Sequence, residues 1–180
     1  MTKEELNIYT DVISPHPHSI SSITKLLTLG NYEGPNKIGD GSIIQLANSA
    51  NFETFWLSNQ RPIGIYESLV TKIALSSTKS KFLTTTFGVH NKVMDGALLP
   101  ELETILMDDS ASKKIIFIHL MGTHLSYSNR YPEDFNTFKD IPFSNYKSDD
   151  NFKIINDYDN AVLYSDYVIS QIIKKTKSYN

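Results

Sequence analysis

A hydroxyl side chain that follows a histidine-proline loop is the first candidate for chemistry in this sequence. Ser19 comes directly after His16, Pro17 and His18, and apolar residues at helical spacing follow it. A helix that starts here would place free N–H groups and the positive end of its dipole beside Ser19, an arrangement that favours an anion. The same spacing suits Ser19 or Ser21 as the N-cap of that helix. Ser19 is therefore either a helix cap or a nucleophile that accepts a phosphoryl group.

The two histidines before Ser19 have two readings as well. Only Pro17 separates His16 from His18, so their imidazoles could together bind a metal ion or a phosphate group. Histidines in a surface loop usually have no ligand. The sequence alone leaves both readings open.

Polar residues also follow a predicted aromatic-rich strand at Phe52–Ser58. Asn59 and Gln60 offer amide donors and acceptors to a polar substrate, and Arg61 could pair with a phosphate oxygen. Loops often carry such residues without binding anything. We expect Asn59 and Gln60 to contact the substrate if a site lies here.

A histidine follows the most apolar segment of the chain. Lys114–Leu120 is nearly continuous in apolar residues, which predicts a strand buried on both faces of a parallel sheet. His124 comes after this strand and after Gly122, where an imidazole could donate to a transferring phosphoryl group or bind a cation. His119, inside the strand, is predicted to be a core histidine.

The elements that would position these residues alternate between strands and helices. This order predicts an α/β fold with a mainly parallel sheet flanked by helices, whose loops after the strands open on one edge. A first short strand is expected at residues 7–14. Helices are predicted to start at Ser19, Ser42, Asp95 and about Asn156, with another around Ile65–Ala74.

Composition narrows the class of protein. A length of 180 residues suits one domain, and 20 acidic against 17 basic residues give no field that would attract nucleic acid. The absence of cysteine excludes disulfides, thiolate zinc sites and a cysteine nucleophile. No apolar run reaches the length of a signal peptide or membrane span, so we expect no nucleic-acid partner and no membrane anchor in this chain.

Four segments together resemble one family. They are VISPHPHSISSITKLLT, FETFWLSNQ, KKIIFIHLMGTHLSYSNRYP and INDYDNAVLYSDYVISQII, in this order along the chain. The chain resembles the bacterial phosphoethanolamine transferases of the alkaline phosphatase and sulfatase superfamily, most closely the branch that acts on the lipopolysaccharide core. The resemblance covers nearly the whole chain and identifies residues 1–180 as a partial sulfatase-like catalytic domain.

The resemblance implies a zinc-dependent transfer in two steps at the periplasmic face of the inner membrane. A hydroxyl nucleophile takes phosphoethanolamine from phosphatidylethanolamine and passes it to a lipopolysaccharide core or lipid A acceptor. Ser19 aligns with the family's nucleophilic Thr, which is also a metal ligand, and His124 with a histidine that contacts the transferred group or a second zinc. Asn59 and Gln60 match the polar turn beside the substrate pocket.

Departures from the family pattern keep alternatives open. Ser19 replaces a Thr, an upstream metal-binding Glu and a downstream Asp-His pair are absent, and so is the family's membrane anchor. With about four ligands needed, we expect this chain to bind zinc weakly or not at all. The alternatives are an inactive remnant or interaction domain, and a related phosphoglycerol transferase or hydrolase of the same superfamily. A sulfatase of the usual kind is disfavoured, since SISSI lacks the required CxPSR-like motif.

Overall fold

The central feature of the molecule is a three-stranded parallel sheet. A computed structural model describes residues 9–29, 41–62, 69–84, 93–140 and 148–179. The strands are β1 (Glu53–Ser58), β2 (Lys79–Phe82) and β3 (Lys114–His119), in the order β2-β1-β3. Both neighbours of β1 run parallel to it. The predicted α/β class with a parallel sheet is confirmed.

Helices cover both faces of the sheet. On one face Trp56 packs with Ile44 and Ile73, and on the other Leu57 packs with Leu98 and Leu102. Successive residues of β1 point to opposite faces, which explains why adjacent side chains belong to different clusters. The helices are α1 (Ser19–Leu27), α2 (Ile43–Ser49), α3 (Leu69–Leu75), α4 (Leu98–Met107) and α5 (Asp149–Ser178).

Strand β3 differs from its prediction. Each residue from Lys114 to His119 is half-buried, and among the described residues β3 pairs with β1 alone. The prediction of a strand buried on both faces was therefore wrong for the described part of the chain. Its apolar run packs against β1 and the helices, while one edge of the strand has no ladder partner there.

The starts of the helices follow from local chemistry. The predicted helix after Ser42 is confirmed, and Ser42 forms a capping box with Gln45 at distances of 3.3 and 2.9 Å. The predicted helix at Asp95 begins as a 3₁₀ turn and continues as α4, with Pro100 in its first turn as expected. Helix α5 begins earlier than predicted, because Ser148 caps a first turn that opens with Asp149, Asp150 and Asn151.

Two segments were read wrongly from the sequence. Residues 9–14 form no strand, while the beginning of that prediction, like Ile65 of the predicted third helix, lies outside the described residues. Strand β2 was not predicted at all. Within the described ranges, no helix has both the length and the apolar character needed to cross a bilayer.

Candidate functional site

A small cleft lies where the first turn of α1 faces the carboxyl ends of the central and edge strands. Its polar lining comprises Ser19, Ser58, Gln60, Arg61, Thr71 and His119. Trp56, Phe82 and aliphatic side chains form the apolar floor. Parallel strands carry their carboxyl ends to one edge, so residues far apart in sequence meet here as predicted.

Ser19 is the first residue of α1 and is exposed. The N-cap is His18, in an extended conformation and without a side-chain capping bond, so the alternative prediction of Ser19 or Ser21 as the cap was wrong. The His18 side chain therefore does not cap the first turn, whose N–H groups and dipole favour a negative charge beside the Ser19 hydroxyl. The position suits a hydroxyl that bonds to phosphorus.

The histidines before Ser19 are used locally. The His18 amide donates to Nδ1 of His16 at 3.1 Å, and the two imidazole rings lie 5.5 Å apart. Ser14 donates to the His16 carbonyl at 2.8 Å and also contacts Ser22 in α1. These bonds fold the loop against the start of the helix, which is a sufficient role for His16 without a metal ion.

The predicted pair Asn59 and Gln60 divides between two roles. Gln60 lines the cleft, and its side-chain amide donates to the Leu120 carbonyl at 2.8 Å. This bond joins the ends of β1 and β3. Asn59 is fully buried, donates to the Val93 carbonyl and to Asp95, and accepts from Thr84. Asn59 thus supports the site from within the protein and does not line the cleft.

Asp95 is a buried carboxylate that organises the loop after β3. It accepts from the Asn59 amide at 2.8 Å and from the backbone N–H groups of Met121 and Gly122 at 2.9 and 2.7 Å. Charge-assisted bonds of this kind are strong. The sequence pattern predicts only a helix start at Asp95, because an acid before a helix gives no sign of a distant partner.

The turn that carries His124 is held at its other end by Arg130. Arg130 donates to the carbonyls of His124 and Leu125 at 3.2 and 2.9 Å. Gly122 has a φ of +56°, a left-handed conformation that glycine adopts without strain. His124 itself is exposed on this turn and is not part of the cleft lining, so the structure does not bring it together with Ser19 there.

The imidazole that the structure does place in the cleft is that of His119. Its Nδ1 lies 3.2 Å from the Ser58 hydroxyl, and its ring meets the Trp56 indole edge-on at 5.7 Å. Burial lowers the pKa of His119, against a smaller opposing effect of Asp95, which favours a neutral ring. The prediction of a core histidine was incomplete, because His119 is half-buried and contacts Ser58 but also lines the cleft. Its place at the end of a strand was the available signal.

The described residues do not by themselves assemble a zinc site. Nowhere within the described ranges do three or more His, Cys, Asp or Glu side chains gather closely enough to hold a metal ion. Ser19 supplies one oxygen beside a helix start, whereas zinc takes about four ligands. Ser19 fits the role of one ligand, and the remainder of such a shell is not found among these residues.

Comparison with known proteins identifies the family. The model of the sulfatase family matches residues 1–179, and the chain belongs to this family. Within it, the resemblance to bacterial phosphoethanolamine transferases is confirmed. Phosphoethanolamine transferase EptC of Escherichia coli K12 is 30% identical over 185 residues, which cover 99% of this chain and 31% of that protein. Phosphoethanolamine transferase CptA of Salmonella typhimurium is 29% identical, over 90% of this chain and 28% of that protein.

Solved structures agree with the fold. The C-terminal periplasmic domain of EptC from Escherichia coli, in a complex with Zn, superposes with a TM-score of 0.84 at 28% identity, covering 90% of this chain and 46% of that one. The equivalent domain from Campylobacter jejuni gives a TM-score of 0.72 at 23% identity, which supports the fold alone. The chain thus spans about a third of these full-length relatives and about half of the solved domain.

Proposed function

We propose that this chain forms the nucleophile-bearing part of a phosphoethanolamine transferase. In the complete enzyme, the donor is phosphatidylethanolamine and the acceptor is a lipopolysaccharide core or lipid A at the periplasmic face of the inner membrane. The observation that carries the proposal is the exposed Ser19 residue at a helix start that the His18 side chain does not cap, in one cleft with Gln60 and Arg61. The relatives and the solved domains support the same activity.

The proposed reaction proceeds through a covalent intermediate on Ser19. The Ser19 oxygen attacks the phosphorus of the donor, and the bond from phosphorus to the diacylglycerol oxygen breaks. An acceptor hydroxyl then attacks the same phosphorus and releases Ser19. In this proposal the first-turn N–H groups of α1 and the Arg61 guanidinium stabilise charge on the phosphoryl oxygens; the support is that Arg61 and Ser19 line the same cleft.

Zinc belongs to the proposal for the complete enzyme alone. When bound, a zinc ion would act as a Lewis acid toward the nucleophile and the phosphoryl group. Of the described residues, Ser19 would be the ligand. We also propose that residues 1–180 are part of a larger catalytic domain, because the solved domains of the relatives are about twice as long.

Intact mass spectrometry tests the role of Ser19. The protein containing this chain, incubated with phosphatidylethanolamine, should gain the mass of one phosphoethanolamine group on Ser19. Ser19→Ala should abolish the adduct, whereas Ser19→Thr, which keeps the hydroxyl, should retain it. Ser21→Ala serves as the control, because it removes a neighbouring hydroxyl of the same helix. Transfer by the wild type with an unmodified Ser19 would eliminate this role.

A second candidate function is that of an inactive remnant or interaction domain. The observation that favours it is the lack of a metal-binding group among the described residues. Calorimetric titration of the 180-residue chain with zinc separates the two readings. Tight, stoichiometric binding would contradict the remnant. Phosphatidylglycerol as the donor tests the related phosphoglycerol transferase in the same assay.

A further inference from the structure

His119 has one ring nitrogen in use and one available. Nδ1 contacts the Ser58 hydroxyl at 3.2 Å, and among the described residues Nε2 has no hydrogen-bond partner. Because His119 lines the cleft, Nε2 is available to a group bound there.

Counting the hydrogen bonds of Ser58 assigns the proton on this ring. The Ser58 hydroxyl donates to the backbone carbonyl of Gln60 at 2.8 Å and accepts from the backbone N–H of Gln60 at 3.0 Å. A hydroxyl has one proton, so the contact with His119 can be kept only if Nδ1 carries a hydrogen and donates. The opposite tautomer would take the Ser58 proton away from the Gln60 carbonyl and lose one bond.

The network therefore holds His119 with Nδ1–H toward Ser58 and a lone pair on Nε2. Such an imidazole is a proton acceptor, oriented by a neighbouring side chain as in other nucleophile-base pairs. The edge-on contact with Trp56 and the position at the end of β3 restrict the ring further. Two charged neighbours among the described residues are Arg61, in the same cleft, and Asp95, whose field reaches the ring.

We propose that His119 is a catalytic proton acceptor for the Ser19 hydroxyl, with Ser58 as the positioning residue that fixes its tautomer. The inference rests on the proposed function. As the Ser19 oxygen bonds to phosphorus, its proton moves to Nε2 of His119, and the departing alcohol oxygen takes a proton from water. When the acceptor hydroxyl attacks and gives its proton to solvent, Nε2 returns its proton to Ser19.

The tautomer can be measured without any activity. Long-range ¹H–¹⁵N correlation spectra of the histidine rings at pH 7.5 should show Nδ1 of His119 protonated and Nε2 unprotonated. Ser58→Ala should shift the ring toward the Nε2–H form, while Ser76→Ala, which removes a hydroxyl bonded to α3, should not. A wild-type ring in the Nε2–H form overturns the proposal.

Kinetics of adduct formation test the proton transfer. His119→Asn keeps a donor near the Nδ1 position but removes the Nε2 acceptor, so the Ser19 adduct should form roughly 10²–10⁴ times more slowly. Thermal unfolding of this variant verifies that it is folded. Adduct formation at the wild-type rate in His119→Asn overturns the role of His119 alone. A wild type that forms no adduct overturns the proposed function, and the proton transfer with it.

Discussion

The Asp95 carboxylate accepts a hydrogen bond from the backbone N–H of Gly122, with an N···O distance of 2.7 Å. This bond connects a helix start to the loop after β3. The same carboxylate accepts from Met121 and from the fully buried Asn59. One side chain therefore fixes the ends of β1 and β3 relative to each other. This relationship leads to the first prediction.

Asp95→Asn should loosen that loop. An amide has one oxygen, so at least one of the three N–H donors faces an NH₂ group and loses its acceptor. The free energy of unfolding should fall by about 1–3 kcal/mol. Hydrogen exchange at Gly122 should accelerate more than exchange at Leu57. Asp109→Asn, at an exposed turn, is the control, and unchanged exchange at Gly122 would contradict the assigned role.

The capping box of α2 predicts a specific loss. Ser42→Ala removes the acceptor of the Gln45 amide, which should lower the free energy of unfolding by about 1 kcal/mol. Urea denaturation measures this difference. Ser49→Ala removes an exposed hydroxyl that bonds to the Gln45 carbonyl and should change stability much less. Equal losses in both variants would argue against the capping role.

Tyr131 gives stability a dependence on alkaline pH. Burial, together with the hydrogen bond to Asp157 at 2.6 Å, raises the pKa of Tyr131 from 10.0 to about 12. The pKa of Tyr131 is higher in the folded state than in the unfolded state, so its contribution to the free energy of unfolding is complete below pH 10. That contribution is lost as the pH rises toward 12. The stability difference between wild type and Tyr131→Phe should shrink over this window. A constant difference from pH 8 to pH 12 would contradict the prediction.

The free edge of β3 predicts association of the isolated chain. The backbone N–H of Glu53 donates to the Lys113 carbonyl, and the backbone N–H of Asn59 donates to the His119 carbonyl. The odd-numbered residues of β3 therefore turn their backbone N–H and C=O groups toward β1. The amide of Ile116 therefore points away from β1, toward the edge that lacks a ladder partner among the described residues. Size-exclusion chromatography should show oligomers for the wild type.

A matched pair of variants isolates the backbone contribution to that association. Ile116→Pro removes the outward amide and should shift the chain toward monomer, whereas Ile116→Ala loses similar packing but keeps the amide. A stable wild-type monomer at all concentrations would rule out pairing through this edge. If the two variants had the same oligomeric state, the change in association would be due to the lost Ile116 side chain and not to the lost amide.

Sequence patterns predicted the elements whose neighbours are local or uniformly apolar. The helical spacing after Ser19 and the apolar run of β3 were sufficient, as was the capping signal at Ser42. Strand β2 was missed because Lys79, Ser80 and Lys81 are exposed on an edge strand, where no apolar pattern is required. The start of α5 was misplaced for the same reason, because Asp149, Asp150 and Asn151 carry no apolar pattern and resemble a loop.

The candidate site was predictable in part. Ser19 and Gln60 line one cleft. The strand-end argument was correct for Gln60, which follows β1, but residues 9–14 before Ser19 form no strand. The pattern could not show that Asn59 turns inward or that His119 reaches the cleft, because both depend on partners more than 20 residues away. Asp95 carries no local signal at all, since its three partners come from other strands and loops. A role that depends on hydrogen bonds to residues distant in sequence can be identified only from the folded structure.

The order β2-β1-β3 also constrains how the chain can be made. Ser58 and its neighbour His119 are separated by 61 residues, so the middle strand leaves the ribosome long before its second partner exists. During that interval Phe55, Trp56 and Leu57 have at most one strand beside them. Pairing between distant segments is slow, because loop closure precedes any gain from contacts. Nascent chains of this protein are therefore exposed to aggregation, and chaperones would act at this stage of synthesis.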